Sequence, residues 1–328
     1  MIKVAILGSP LQLVSFNSVQ AGDNNRPTCI LFYRDRHNLQ ESKYVNAKSV
    51  LLDNIITFRV SNQNKFFMTP LMVFLSIFSS AIYIGDALSA FQVFFLDIGH
   101  KLKLRKNIFL LDDGTSLDAD SAEVIDRISN YNVRCIYSFS RASLNSYREY
   151  QTEKIVLPLG LRPPANWVKK LNSSNTDTIF IGSAYVAHGC MSEKRYTSEV
   201  CRVISLLEGT DCIGYFPHRR EDSGSVSRMF NSLPKGRNSF SVFDVDIGFD
   251  IDLMLSNDVN VLSNFTLVSF PSTVLIMLSD AGFLDKVTRV VLIDSSAYIS
   301  QDEKSRQLRI LNKCKFTMES NNVRFSIH

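Results

Sequence analysis

Short apolar runs alternate with longer segments of helical spacing along most of the chain. In the parallel sheets of α/β proteins, buried strands are continuously apolar and helices connect them. The alternation therefore predicts parallel sheets with helices on both faces. Strands are predicted at 2–7, 28–33, 54–60, 81–84, 107–111, 177–181, 211–214, 240–243, 266–270 and 289–293, and helices at 11–19, 119–128, 193–208 and 274–279.

The most apolar segment, residues 66–85, carries no charged side chain. It is long enough on paper to span a bilayer. Pro70 and several hydroxyl side chains interrupt it, and its end has the pattern of a buried strand. The segment is therefore predicted to form a helix buried under a sheet, followed by a central strand at 81–84.

Composition limits the class of protein. The chain has 328 residues, of which 45% are hydrophobic and 21% charged, so it is globular and long enough for two domains. A net charge of +4 is too small to indicate a nucleic-acid partner. The basic side chains at 100–106 form either a solvated face or a site that binds an anionic membrane surface or an anionic acceptor.

The six cysteines show no CxxC spacing, so neither a zinc site nor a redox dithiol is indicated. They are interpreted as reduced. Because Met1 leads directly into a predicted strand, no signal peptide is expected, and the protein is expected in the cytoplasm.

The domain boundary is predicted near residue 160. Pro158, Pro163 and Pro164 fall within a turn-rich stretch at 151–175, which is interpreted as an interdomain linker. Two βα domains, 1–160 and 161–328, would then offer a ligand cleft between them. The first βα turn lacks GxGxxG, so the nicotinamide-dinucleotide fingerprint is absent.

His218 is the first candidate for chemistry, because it stands where a predicted strand gives way to a loop. Its imidazole could donate a proton to an anionic leaving group while the neighbouring Arg219 holds the charge. The alternative is a turn histidine beside solvated arginines.

An acidic pair, Asp112 and Asp113, follows the fifth predicted strand and precedes Gly114. Neighbouring carboxylates oppose each other's ionisation, which can tune one of them to act as a base. In the alternative interpretation, Asp112 caps the following turn and Asp113 is solvated.

Other positions could bind a nucleotide. Ser272 and Thr273 open a predicted helix, where hydroxyls and free N–H groups bind phosphate; the alternative is that they only cap the helix. Gly182 and Ser183 form a loop of small residues, whose backbone a ligand could approach closely. Asp252 could bind ribose hydroxyls or lie on a solvated helix face.

Together these pieces resemble the bacterial sialyltransferases of the GT-B fold, which sialylate lipooligosaccharide and capsule. That group carries an acidic pair followed by glycine, a His-Pro pair and a Ser-Ser/Thr pair, and this chain has similar motifs in the same order. They are Asp112-Asp113-Gly114, Pro217-His218-Arg219 and Ser272-Thr273. One departure is that proline precedes His218 instead of following it.

The resemblance implies roles for these residues. Asp113 would be the base, supported by Asp112 and Gly114, and His218 would assist the departing phosphate. The remaining candidates would bind the donor: Ser272, Thr273, Asp252, Gly182, Ser183 and Arg219. The first domain would then bind the acceptor and the second the CMP-sugar.

The implied enzyme is an inverting, metal-independent sialyltransferase without a cofactor. Its donor would be CMP-N-acetylneuraminic acid and its acceptor a galactose-terminated oligosaccharide or glycolipid, with peripheral attachment to the inner membrane face. The alternatives are a donor carrying another nonulosonic acid of the legionaminic type, a UDP-hexose donor, or an inactive nucleotide-binding scaffold.

Overall fold

A computed structural model gives the fold of the chain. It describes residues 2–22, 28–34, 48, 51–102, 104, 106–111, 121–160, 165–207, 211–218, 220–231, 239–256, 258–296, 299 and 301–328. The chain divides into two compact units, Met1–Pro158 and Leu159–His328. This division lies close to the boundary expected near residue 160.

The first unit contains a parallel sheet of seven strands in the order β3-β2-β1-β4-β5-β6-β7. The order reverses direction after β1, as in doubly wound Rossmann-like sheets. The strands are β1 (Lys3–Leu7), β2 (Cys29–Tyr33), β3 (Ile55–Arg59), β4 (Ala81–Ile84), β5 (Asn107–Leu111), β6 (Val133–Ser138) and β7 (Glu153–Val156). The helices are α1 (Pro10–Ala21), α2 (Lys65–Phe78), α3 (Ala90–Lys101), α4 (Ser121–Ser129) and α5 (Arg141–Asn145).

The second unit repeats this topology in a parallel sheet of six strands, β10-β9-β8-β11-β12-β13. Its strands are β8 (Thr178–Ile181), β9 (Cys212–Phe216), β10 (Ser239–Val242), β11 (Thr266–Ser269), β12 (Arg289–Leu292) and β13 (Phe325–Ile327). Its helices are α6 (Asn166–Asn172), α7 (Glu193–Ser205), α8 (Ser223–Asn231), α9 (Phe249–Ser256), α10 (Thr273–Asp280) and α11 (Gln301–Ser320). The predicted pair of parallel α/β sheets is confirmed.

The central strands form because their apolar runs are buried on both faces. Every residue of β4 and of β8 is buried, as expected for strands covered by helices on either side. α1 begins where the sequence predicts, because Ser9 accepts a hydrogen bond from the Gln12 N–H (3.2 Å) and Pro10 suits the first helical turn.

The predicted linker at 151–175 is partly wrong. It contains β7, which pairs with β6, and α6, which buries Trp167 in the second unit. The Trp167 ring packs against Phe216 and Phe249, with ring centroids 5.0 and 5.4 Å apart. Proline spacing indicated a turn-rich stretch, but it does not reveal which short segments between the prolines find a partner.

The prediction of a buried helix at the start of 66–85 is also wrong. The strand that follows it, β4, is central and buried, but most of α2 is not: only Met72 and Ser76 are fully buried on it. Its opposite face leaves large apolar side chains in solvent. None of the helices in the part of the chain that the structure describes is long and apolar enough to cross a membrane.

Candidate functional site

Three loops at the carboxyl ends of adjacent strands form the candidate site. Gly182 and Ser183 follow β8, His218 follows β9 after Pro217, and Ser272 follows β11. β8 lies between β9 and β11, and the strand order reverses between β8 and β11. Open α/β sheets bind ligands at such a reversal. The structure therefore brings these sequence-predicted residues to one edge of one sheet.

Gly182 occupies a position with no room for a side chain. A Cβ atom there would lie 2.1 Å from Glu221 Oε2, 2.7 Å from the Tyr215 hydroxyl and 2.8 Å from the His218 backbone nitrogen. Its own N–H donates to the carbonyl of Phe216 (2.8 Å), which ties the ends of β8 and β9 together. Glycine is required here because a buried carboxyl group fills the space beside it.

Glu221 holds the two loops together and is a residue that the sequence analysis did not select. Its Oε2 accepts the backbone N–H of His218 (2.7 Å), and its Oε1 accepts the hydroxyl of Tyr215 (2.9 Å). The Tyr215 and Tyr196 hydroxyls are 2.8 Å apart, and Tyr196 accepts the Ser183 N–H (3.1 Å). The carboxyl group and two phenols thus connect the loop after β8 to the loop after β9.

Burial shifts the protonation of this network. It raises the pKa of Glu221 from 4.5 to about 8, an effect only partly offset by the hydrogen bonds from His218, Tyr215 and Tyr196. Burial also raises the pKa of both phenols well above 10.0. The phenols therefore remain protonated, and Glu221 binds a proton near neutral pH.

His218 has a defined orientation. Its Nδ1 accepts the backbone N–H of Arg220 (3.2 Å), and its backbone carbonyl accepts the N–H of Glu221 (2.8 Å). An imidazole nitrogen that accepts a hydrogen bond carries no proton, so in this geometry the ring proton is on Nε2. The Arg220 guanidinium contacts His188 Nε2, which adds positive charge beside the loop.

Ser272 occupies the N-cap position of α10, but its side chain makes no capping hydrogen bond. Its hydroxyl oxygen is buried without a hydrogen-bond partner among the residues that the structure describes. Buried hydroxyls without a partner are uncommon, and an external group can satisfy them. Thr273 begins the helix and is half-buried.

Asp252 lies inside the second unit. Its Oδ2 accepts the indole N–H of Trp167 (3.1 Å) and the Asp246 N–H (2.9 Å), and its Oδ1 accepts the Ile247 N–H (3.3 Å). Only 1% of the residue is exposed, so the solvated-face interpretation is wrong. These hydrogen bonds connect α9 to α6 and to the loop that precedes α9. Nucleotide contact by Asp252 stays a prediction.

Several predicted site residues fall outside the described part of the chain. They are Asp112, Asp113, Gly114 and Arg219. β5 ends at Leu111, so the acidic pair follows a strand directly, as its sequence position indicates. The roles of these four residues stay predictions.

The first unit has its own buried polar connection at the reversal between β1 and β4. Gln12 Oε1 accepts the Gly8 N–H (2.7 Å), and Gln92 Oε1 accepts the N–H groups of Gly85 (2.6 Å) and Asp86 (2.9 Å). These glutamines are almost fully buried. Sequence analysis could not select them, since an isolated glutamine carries no pattern.

The described residues include no group of three or more His, Cys, Asp or Glu side chains placed to hold a metal ion. No metal site is therefore assigned among them.

Comparisons with known proteins bear on the fold. No family model and no curated protein matches the chain. The UDP-GlcNAc 2-epimerase of Methanocaldococcus jannaschii, solved with UDP-GlcNAc and UDP, is 12% identical over 97% of this chain and 93% of its own, with a TM-score of 0.55. UGT89C1 of Arabidopsis thaliana, solved with UDP-L-rhamnose, is 8% identical over 97% and 94%, with a TM-score of 0.50.

The chain has the GT-B fold. The likeness extends through both Rossmann-like units, and the predicted fold class is confirmed. At such low identity a GT-B likeness shows the fold alone, and the sialyltransferase resemblance stays a prediction. The chemistry of this GT-B chain has to be argued from its own residues.

The buried carboxyl group leads to a prediction about pH. Between about pH 5 and pH 8, the folded protein holds a proton on Glu221 that the unfolded chain releases, so the free energy of unfolding should decrease as pH rises through this interval. The decrease attributable to Glu221 is at most about 1.4 kcal/mol for each pH unit. Glu221→Gln removes the titration and should flatten the dependence.

Urea unfolding at a series of pH values measures this effect. Lost hydrogen bonds in Glu221→Gln shift stability equally at every pH, so the slope is the informative quantity. Exposed Glu123→Gln is the control and should follow the wild-type slope. Parallel curves for Glu221→Gln and the wild type would show that Glu221 is already ionised at pH 5.

Proposed function

We propose that the protein is a glycosyltransferase that binds a nucleotide-sugar donor in its second unit. The observation that carries the proposal is the buried, unpartnered hydroxyl of Ser272 after β11, on the same sheet edge as the His218 loop after β9, with β8 between them. The finer proposal is an inverting, metal-independent transfer of sialic acid from CMP-N-acetylneuraminic acid to a galactose-terminated surface glycan. Support for it comes from the order of the three motifs and from the chemistry of the leaving group.

The phosphate of the donor would be held by Ser272 and by the first N–H groups of α10. A helix begins with N–H groups that have no intrahelical partner, and its dipole favours an anion there. The Ser272 side chain is not used as a cap, so its hydroxyl can donate to a phosphate oxygen.

His218 would stabilise the departing CMP. The proton on Nε2 can donate to a phosphate oxygen as the bond to the sugar breaks, while Glu221 fixes the backbone of the loop. CMP leaves with a single phosphate, so the reaction offers no diphosphate for a magnesium ion to bridge. Preorganised donors can stabilise the developing charge instead.

Asp113 would act as the base on the acceptor hydroxyl. It follows β5 in the first unit. In an inverting transfer the acceptor attacks the sugar from the side opposite the leaving group, so the base that deprotonates the acceptor is a different residue from the one that assists the leaving phosphate. We place the reaction in the cytoplasm, with peripheral attachment to the inner face of the cytoplasmic membrane, where glycolipid acceptors are available.

A UDP-sugar donor is the second candidate. It is favoured by the two GT-B neighbours, which were solved with UDP-GlcNAc and UDP, and with UDP-L-rhamnose. Because both share the fold at low identity, they support nucleotide-sugar binding in general. Experiment has to identify the nucleobase and the sugar of the donor.

Turnover assays distinguish these donors. With a galactose-terminated acceptor, CMP-N-acetylneuraminic acid should yield CMP and sialylated product, and EDTA should leave the rate unchanged. UDP-GlcNAc and UDP-L-rhamnose should give no product. Product from a UDP-sugar alone would replace the proposed donor, and no turnover with any donor would favour the inactive scaffold.

The phosphate site predicts a binding defect without a folding defect. Ser272→Ala with Thr273→Ala should weaken CMP binding by about 1–3 kcal/mol, the scale of hydrogen bonds to a charged group. The melting temperature should change little because Ser272 makes no capping bond. Calorimetric titration with CMP measures the effect, and Ser205→Ala, at the end of α7, is the control. An unchanged dissociation constant would remove Ser272 and Thr273 from the site.

Substitutions of Asp113 and of His218 should have different effects on turnover and on CMP binding. Asp113→Asn and His218→Ala should each lower turnover by about 10²–10⁴-fold, the usual range for losing a positioned base and for losing a preorganised hydrogen-bond donor to developing charge. Only His218→Ala should also weaken CMP binding, because the role proposed for Asp113 is on the acceptor and not on the donor. Asp112→Asn should lower turnover less than Asp113→Asn. Full activity of Asp113→Asn at saturating donor would overturn the assignment of the base.

A further inference from the structure

The outer face of α2 carries an exposed stripe of large apolar side chains. Phe67, Leu71, Phe74 and Phe78 are spaced by four, three and four residues, which places them along one face of the helix. Phe67 is 77% exposed, Phe74 57% and Phe78 67%, and the rings of Phe74 and Phe78 lie 4.7 Å apart. These four residues are called the aromatic stripe.

The opposite face of α2 is also apolar, because it packs against the first sheet. Met72 is buried, and Met68 and Leu75 pack against a cluster that includes Val4 and Phe32. A surface helix of a globular protein ordinarily turns polar residues towards water. α2 instead has one apolar face in the core and another without cover, and Phe94 on the adjacent α3 is exposed as well.

Basic residues stand near both ends of the helix that carries the aromatic stripe. Residues 100–106 are called the basic segment; of its basic side chains, His100, Lys101 and Lys106 lie in the described part of the chain, and Lys103 and Arg105 lie outside it. Lys65 stands at the other end, as the first residue of α2.

The structure attaches the basic segment to the end of the stripe. Lys106 Nζ donates to the carbonyl of Ile77 (2.5 Å), in the last turn of α2, and to that of Ser79, which directly follows the helix. α2 and α3 both run back between parallel strands and pack together, so their C-terminal ends lie side by side. Phe78 and Lys101 therefore stand at the same end of these two packed helices.

We propose that the aromatic stripe and the basic segment dock the protein on an anionic phospholipid bilayer. Aromatic side chains partition into the interfacial region of a membrane, and each Lys or Arg near an anionic surface contributes electrostatic attraction. The surface gives a physical basis to the proposed peripheral location, on which the inference rests, but it requires no particular sugar donor.

Charge argues against a second copy as the cover for this face. An isologous dimer places the same patch of both subunits in contact. Two basic segments would then meet at one interface, and like charges in contact oppose association. An anionic lipid surface complements both the apolar and the charged part of the face.

Vesicle co-sedimentation tests the proposal without substrate, so its result is separate from that of the donor assays. The wild type should sediment with vesicles that contain phosphatidylglycerol and stay in solution with pure phosphatidylcholine. Phe74→Ser with Phe78→Ser should weaken the binding by about tenfold or more, because apolar burial is lost. The matched control is Leu308→Ser with Phe316→Ser, two exposed apolar residues on α11, which should bind as the wild type does.

Charge is tested in the same assay. Lys101→Glu should weaken binding by about fivefold or more, the scale of one basic residue at an anionic surface. Lys169→Glu on α6 is the control and should have no effect. High salt should lower the binding and leave a remainder, because it screens only the charged contribution.

Three results would overturn the proposal. They are no binding of the wild type to phosphatidylglycerol vesicles, unchanged binding of the Phe74→Ser/Phe78→Ser protein, and a dimer in sedimentation velocity that this double substitution abolishes. The last would identify a second copy as the occupant of the face. Circular dichroism melts establish that each variant is folded, since all the substituted side chains are exposed.

Discussion

The lack of a side chain at Gly182 is the constraint on which the candidate site depends. The Glu221 carboxyl group occupies the space where a Cβ would stand, and from there it reaches the backbone of His218 and the phenol of Tyr215. Without that space, the loops after β8 and β9 could not approach so closely. The absence of one Cβ atom thus permits a buried polar joint between two strand ends, and that joint holds the backbone of the loop that carries His218.

The same phenols also connect the joint to the third loop of the site. Tyr215 stacks on Phe180 of β8 with ring centroids 5.2 Å apart, and Tyr196 stacks on Phe270, 5.3 Å away, which stands just before Pro271 and Ser272. Each ring therefore packs as an apolar body while its hydroxyl completes the hydrogen-bond chain. A rigid aromatic layer under polar loops keeps them in place when a charged ligand arrives.

The strands and the edge that carries the site were predictable because continuous apolar runs and strand-to-loop positions are local features. His218, Gly182 and Ser272 could be selected in this way. Glu221 and Gln92 could not, because their importance comes from partners such as Gly182 and Gln12 that are distant in sequence. β7 and α6 were missed because short segments between prolines acquire structure only through contacts with the rest of their units.

The error at α2 has a different physical origin. An apolar run indicates that its side chains avoid water, but it does not indicate whether protein or lipid takes the place of water. Met72 and Ser76 face the first sheet, whereas the largest rings, including Phe74 and Phe78, face outward. A helix selected only to cover the sheet would have polar groups at the outward positions, since they bring no packing. Under the proposed docking, the outward rings meet a second requirement on this face, and Lys65 at the start of α2 and Lys101 at the end of α3 would supply its electrostatic part.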